Sequence, residues 1–350
     1  MEDNKKKKMK LWMKIVLGAL IFTILAVCVT FSYTYYQLSK IKTTTISKMD
    51  EDLGIVIKEP LKIDKDSNVK PEVPLQKEEV NEIINIALFG VDRRVANEPS
   101  RSDSIMILSI DKNHKKIKLS SIMRDTYVEI KNHGVTKINH AYAYGGALLA
   151  IRTINENFNL DIRDYITVDF FNLEKIIDTI GGVTIDIQSN EVSLINSCMA
   201  DVAAIEKKSI PKITKYGLQT LNGIQAVAYS RVRYTAGGDF VRTERQREVL
   251  AGVFTNIQSL GATQFPAIVS KLLPMTETSM NSMDIVKLGT KVLTSNITIL
   301  EQERFPIDGY YKGEMMDSIW YLVADMKATV DQLHKFIYEN IKPVPRQPPF

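Results

Sequence analysis

The chain has 350 residues, 45% apolar and 25% charged, which is the composition of a folded protein and excludes disorder as its general state. Its formal charge of +4 is an N-terminal effect: residues 1–14 carry six lysines against Glu2 and Asp3, and without them the 45 basic and 41 acidic residues become 39 and 39. A general positive field for nucleic acid is thereby excluded, so an anion site must be a local cluster of cations.

Residues 1–14 read as a basic cytoplasmic segment. Ile15–Tyr36 carries no charge and as a helix is roughly 33 Å long, enough to cross a hydrocarbon core of about 30 Å. The lysines before it and the sparser Lys40, Lys42 and Lys48 after it predict an N-terminus in the cytoplasm and the rest outside. The alternative is a cleaved secretory signal, but no small-residue cleavage site follows, and Val27 stands before Cys28 where a lipoprotein signal needs a small residue. The two cysteines, Cys28 and Cys198, allow no disulfide framework and no cysteine zinc site, so the outer part needs a real core.

Residues 37–80, rich in Lys, Asp, Glu, Thr and Pro without sustained period, read as an extracellular stalk. Ile83–Phe89 is an apolar run of strand length, and Ser104–Ile110 and Ile117–Ile122 flank a polar turn as a hairpin would. A helix is predicted over Ala147–Asn157, a strand near Tyr165–Val168, a helix over Asn172–Ile180 stopped by Gly181-Gly182, and a strand over Val183–Ile187. Further helices are expected at Asn196–Lys208, Gly223–Tyr229, Phe240–Leu260 with Asp239 as N-cap, Met283–Thr294 and Ala324–Glu339. This alternation predicts an α/β domain over residues 81–342, a mixed sheet covered by helices, before an irregular Pro-rich tail at 343–350.

His114, His133, His140 and His334 show no zinc-ligand spacing, and no G-x-S-x-G, Walker loop or G-x-G-x-x-G is present. What the sequence does show is arginine and aspartate at strand ends. Asp92, Arg93 and Arg94 follow the first strand, Arg101 and Asp103 precede the second, and Arg124 and Asp125 follow the third. Arg231, Arg233, Asp239, Arg242 and Gln246 gather at the start of the long helix, where Arg242 and Gln246 share a face. Each alone reads as readily as a surface ion pair. As a set they suit a pyrophosphate bridged to a hard divalent ion, because guanidinium forks match phosphate oxygens and carboxylates hold Mg2+.

GVDRR, RSDSIMILSID, SIMRDTYV, KINHAYAYGG, IGGVTIDI, GLQTLNGIQAVAYSRVRY and GDFVRTERQREVL occur in this order over 83–260. The ordered set resembles the LytR-CpsA-Psr domain. That resemblance implies a three-layer α/β/α sandwich behind one transmembrane helix, with an apolar tunnel for a polyprenyl chain whose pyrophosphate is gripped at the mouth. It implies Asp92 and Asp103 as carboxylates for Mg2+ or Mn2+, and Arg101, Arg124, Arg231, Arg233, Arg242 and Gln246 as pyrophosphate ligands, with Arg94 a weaker match. Val128 stands where some members place another arginine. The implied activity is transfer of a phosphorylated glycopolymer, such as teichoic acid or capsule, from a polyprenyl pyrophosphate carrier to peptidoglycan at the membrane surface, with no nucleic acid involved. A pyrophosphatase and a non-catalytic lipid-carrier receptor use overlapping residues and stay open. Asp125 and Asp239 are candidates for the general base, and the Val241, Val249, Leu250, Val253, Phe254 stripe is either tunnel lining or core. Residues 190–216 are expected to carry polymer specificity.

Overall fold

A computed structural model describes residues 11–39, 41, 43–55, 83–93, 100–206, 211–233 and 237–347. The chain divides into two compact units, Met1–Lys42 and Thr43–Phe350.

The first unit is helix α1 (Leu11–Ser39), in which Trp12–Thr30 is long and apolar enough to cross a membrane. Thr23 and Thr30 satisfy their hydroxyls within the helix, donating to the carbonyls of Ala19 and Ala26, so the segment leaves hydrocarbon no stray polar group from them.

The second unit opens with the short helix α2 (Asp50–Leu53) and strands β1 (Ile83–Val91), β2 (Ser102–Asp111), β3 (Lys116–Ile122), β4 (Tyr127–Ile130) and β5 (Gly134–Lys137). Helix α3 (His140–Phe158), β6 (Asp164–Asp169), α4 (Phe170–Thr179), β7 (Val183–Ile187), α5 (Val192–Glu206), β8 (Gly217–Leu221) and α6 (Gly223–Arg231) follow. The chain closes with α7 (Gly238–Leu272), β9 (Glu277–Thr278), α8 (Ser282–Thr294), β10 (Ile299–Phe305), β11 (Tyr311–Met316), β12 (Ile319–Ala324) and α9 (Met326–Tyr338). Six strands form the central sheet in the order β10-β3-β2-β1-β6-β9. It is mixed: β1 runs parallel to β6 and β10 to β3, while β2 lies antiparallel to both neighbours.

The two faces of this sheet are covered unequally. Strand alternation sends Ala87, Phe89, Ile105 and Ile107 to one face, where Ile151, Ile154 and Phe158 of α3 and Leu333, Phe336 and Ile337 of α9 bury them completely. Each such side chain stabilises the fold by about 1.5–3 kcal/mol of transfer free energy. The other face looks toward α7 and α8, and there Ile84, Leu88 and Leu108 are only half-buried, as are Leu250, Phe254 and Ile257 of α7. This makes three layers; on the α7 side Ile86, Met106, Ile110, Ile117 and Leu119 are buried while Ile84, Leu88 and Leu108 keep partial exposure.

The predicted hairpin and the helices at α4, α6, α8 and α9 are present with ends shifted by a few residues. Helix α3 begins seven residues before Ala147, because Gly145 and Gly146 carry non-helical torsions that join two helical pieces across a kink. Helix α7 breaks at Gly261, whose φ of +73° no side-chain-bearing residue readily adopts. This break is the predicted end after Leu260. Helix α5 starts at Val192, and residues 207–208 of its predicted span lie outside the described residues. Residues 43–55, read in sequence as part of the stalk, pack on the domain: Leu53 is buried in its core and the Thr44 N–H donates to the Thr278 carbonyl at 2.9 Å. The rest of the stalk, 56–80, lies outside the described residues.

Candidate active site

Strand pairing alone assembles the site. Val91 pairs with Ser102 across a bulge, Met106 with Ser121, and Val91 with Asp169. Asp92, Arg101, Asp103, Arg124 and the start of α4 therefore share one end of the sheet, at the carboxyl ends of the parallel strands where open α/β sheets bind ligands. Gly90 permits the tight approach there, since an added Cβ would lie 2.9 Å from that of Ser104.

Arg124 is the hub. Its Nε donates to Asp239 Oδ2 at 3.0 Å, one terminal nitrogen donates to Asp239 Oδ1 at 3.3 Å, and the other binds Asp103 Oδ1 at very short range. Burial works against the charge, but Asp103 and Asp239 outweigh it and hold the Arg124 pKa above its ordinary value. Arg242, 2% exposed, donates to the Asp103 carbonyl at 3.2 Å and to Asp239 Oδ2 at 3.1 Å. Burial first, and the neighbouring Arg124 next, push its pKa down to about 10. A guanidinium stays protonated at neutral pH, so this direction means a buried cation with too little counter-charge. The Arg242 Nε is buried without a hydrogen-bond partner, which fits a site that expects an anion.

Arg233 approaches Asp103 Oδ2 at 4.0 Å and stays half-exposed. Arg231 closes α6 with its guanidinium 5.0 Å from the centre of the Phe170 ring, a cation–π contact at the start of α4. Arg101 is exposed at the start of β2; its charge, after burial, lowers the pKa of His140. Gln246 is buried one turn beyond Arg242. Asp92 follows β1 directly and is half-buried. Arg94 lies outside the described residues.

One expectation is corrected, and one open alternative is narrowed toward core packing. Asp239 does not cap α7: the N-cap is Gly237 with a φ of +95°, and the Asp239 carboxylate in the first helical turn turns to Arg124 and Arg242. The apolar stripe of α7 is split, with Val249 and Val253 in the core built around β7 and α6 and Phe254 against Ile110 and Val292. Asp125, buried, pairs with Lys137 at 2.7 Å and lies 3.7 Å from Arg124. Val128, the position at which the resemblance implies an arginine in some members, is 3% exposed in the α3 core.

Sequence reasoning missed the supports. Arg245 gives Nε and a terminal nitrogen to Glu191 Oε1 at 2.8 and 2.7 Å and donates to the Val232 carbonyl at 3.1 Å, which pins the turn carrying Arg231 and Arg233. Lys137 and Phe170 carry no sequence signal for their contacts, since both depend on tertiary placement.

Among the described residues no three His, Cys, Asp or Glu side chains group as a metal site. Mg2+ commonly uses one or two carboxylates and completes its shell with water and substrate phosphates, and Asp92 and Asp103 on neighbouring strand ends fit that incomplete donor set. On this edge Arg124 and Arg242 are bonded to Asp103 and Asp239, while Arg101 and Arg233 are exposed to solvent.

Fold and site together define an α/β protein with a cluster of arginines and carboxylates at the carboxyl end of its central sheet. The chain belongs to the LytR_cpsA_psr family, which it matches over residues 36–336. It is 31% identical over 338 residues to the polyisoprenyl-teichoic acid–peptidoglycan teichoic acid transferase TagU of Bacillus cereus, covering 94% of this chain and 97% of that one. A structure of TagT bound to LI-WTA superposes with a TM-score of 0.58 at 22% identity, over 74% of this chain and 90% of that one. TagT with bound octaprenyl pyrophosphate lipid does so at 0.54 and 20%, over 75% and 94%.

Proposed function

We propose that the chain is a membrane-anchored transferase that moves a phosphorylated glycopolymer of the teichoic acid class from a polyprenyl pyrophosphate carrier to peptidoglycan. The reading is supported most by one observation: Arg124 and Arg242 converge on Asp103 and Asp239 at the mouth of an apolar layer. A pyrophosphate with an apolar tail needs both parts. The membership of the family and the likeness to TagU over nearly the whole chain agree with it.

In this reading α1 crosses the membrane with residues 1–14 in the cytoplasm and the domain outside. The prenyl tail lies between sheet and α7, against Leu88, Leu108, Leu250 and Phe254. Arg101, Arg124, Arg231, Arg233, Arg242 and Gln246 hold the pyrophosphate. Asp92 and Asp103 would hold Mg2+ or Mn2+, which offsets charge on the phosphate oxygens. The acceptor hydroxyl oxygen bonds to the sugar-proximal phosphorus, the bond from that phosphorus to the bridging oxygen breaks, and polyprenyl phosphate leaves with the electron pair. The hydroxyl proton passes to a carboxylate. Both candidates are engaged, Asp239 by Arg124 and Arg242 and Asp125 by Lys137; Asp239 is the more exposed, its side chain 23% against 13%.

The test is to incubate the full chain with a short-chain lipid-pyrophosphate-linked saccharide, Mg2+ and peptidoglycan oligomers and to look by mass spectrometry for the sugar-phosphate adduct. An adduct abolished by chelator supports transfer with a metal, and one that survives chelator removes the metal alone. Free sugar phosphate without adduct would replace transfer by hydrolysis, and bound but unchanged lipid would leave a receptor.

A further inference from the structure

The hairpin of β11 and β12 holds large apolar side chains out in solvent. Met316 pairs with Ile319 across a two-residue turn, Asp317 and Ser318, whose φ angles of 50° and 63° are those of the type I′ turn that suits a tight hairpin. Met315, opposite Trp320 in the register, is 62% exposed and Trp320 40%. Gly313 lies diagonally across from the tryptophan: a Cβ there would come within 2.7 Å of the indole Nε1 and 3.2 Å of Cε2 and Cζ2. The missing side chain lets the indole settle on β11, so it is held in place while the residue keeps its exposure.

Both strands of the hairpin are tied to the arginine edge. Leu322 of β12 bridges Thr126 in parallel, and its N–H donates to the Asp125 carbonyl at 3.0 Å; Trp320 and Arg124 each stand two residues before that bridge. Strand alternation puts Tyr311 of β11 on the same face of the hairpin as Trp320, and its ring lies 5.0 Å from that of Phe240, the residue after Asp239. On the other face Tyr321 meets Tyr127 edge-on at 4.8 Å, and Lys137, which holds Asp125, approaches the Tyr321 ring at 5.8 Å. Contacts on both faces thus fix the indole beside the site.

In the proposed reaction the two substrates are held unequally. The arginines grip a pyrophosphate, which only the donor brings; the acceptor glycan offers sugar rings and hydroxyls, for which a guanidinium cluster has little selectivity. A pyranose turns a patch of C–H groups to one side and hydroxyls to its rim, and a fixed, exposed indole matches the first while water serves the second. We propose that Trp320 and Met315 form the seat of the acceptor, one pyranose of peptidoglycan stacking on the indole so that a hydroxyl of the same strand reaches the phosphorus. The inference rests on the transferase reading and names where its acceptor binds. A bilayer is the other partner for an apolar hairpin tip, but the turn that would enter first carries the exposed Asp317, a carboxylate that hydrocarbon disfavours.

The first test leaves the hairpin unaltered. Trp12 and Trp320 are the two tryptophans of the chain, so in the full chain carrying Trp12→Phe the indole emission reports Trp320 alone. A peptidoglycan tetrasaccharide, added without donor to this chain in detergent, should change that emission saturably; no response would overturn the proposal. So would an emission that responds to transfer into phosphatidylglycerol nanodiscs and not to the tetrasaccharide, since the hairpin would then meet lipid. In the mass-spectrometric transfer assay, Trp320→Ala should raise the acceptor KM about tenfold, the loss of one aromatic contact, with kcat and donor KM held within about twofold. Trp320→Tyr, which keeps a ring, should recover most of the loss. An unchanged acceptor KM would overturn the seat, and a rise in donor KM alone would give the indole to the donor sugar instead. A saturable emission change in a chain that forms no adduct would keep the glycan seat and remove the transfer reading.

Discussion

At the scale of single residues, the site is held by Arg124, and its partners define what each substitution should do. Removing one preorganised charge contact to a developing oxyanion typically costs about 2.7–4 kcal/mol. Arg124→Ala and Asp103→Ala should therefore each lower transfer at least about a hundredfold while thermal unfolding stays cooperative; near-normal rates in either would dissolve the assignment. Glu248 offers a pH test away from the arginines. Partial desolvation pushes its pKa up, and the Tyr229 hydroxyl bonded to it offsets part of this, but the residue is exposed at the surface and solvent screens the effect, so it is small. Its charged form is thus disfavoured by folding, so stability is highest below the unfolded value near 4.5 and falls as pH rises from there through the folded value. Glu248→Gln should raise the melting temperature at pH 7 and leave it unchanged at pH 4. A rise that persists at pH 4 would mean packing and not charge.

Elements decide how these residues meet. Arg231 and Arg233 sit on a turn whose Val232 carbonyl is held by Arg245, itself neutralised by Glu191. Glu191→Ala leaves a nearly fully buried guanidinium without its acid, a loss of roughly 3–5 kcal/mol. Denaturant unfolding should show that loss, and pyrophosphate-lipid binding should weaken with it; binding that is untouched would place the turn outside the site. The strands and most helices were legible because apolar runs, alternation and glycine stops are local signals: Ile83–Phe89, Gly181-Gly182 and the break before Gly261 all act within a few residues. The arginines at strand ends were legible as candidates for the same reason. What the sequence did not reveal was pairing at a distance. Asp239 looks like a cap because an acid at a helix start usually is one, and only the arrival of Arg124 from β3 redirects it. Likewise β10, Ile299–Phe305, mixes Glu, Gln and Arg with apolar residues and gains its strand identity only from pairing with β3.

For the whole molecule, the transmembrane reading of α1 demands a sidedness. An alkaline phosphatase fused after Phe350 should be active and a cytoplasmic reporter at the same point silent; the reverse would put the domain inside the cell and exclude peptidoglycan as its acceptor. The unequal faces of the sheet carry the same division of labour into the fold. The α3 and α9 side is closed and supplies stability, and the α7 side, where Ile84, Leu88 and Leu108 keep partial exposure, is the side on which the proposed prenyl tail would lie.

The bond between Arg124 and Asp103 carries a last consequence. The arginine proposed to grip phosphate and the carboxylate proposed to meet a cation are bonded to each other. Small anions must displace an internal competitor and bring nothing to occupy Asp103, so inorganic phosphate or sulfate should be poor inhibitors even though the mouth is cationic. In the proposed reading, a polyanion arriving with a divalent ion would replace both halves of the pair at once. When polyprenyl phosphate departs, the two side chains can close on each other again, which gives the spent carrier a built-in rival for its seat.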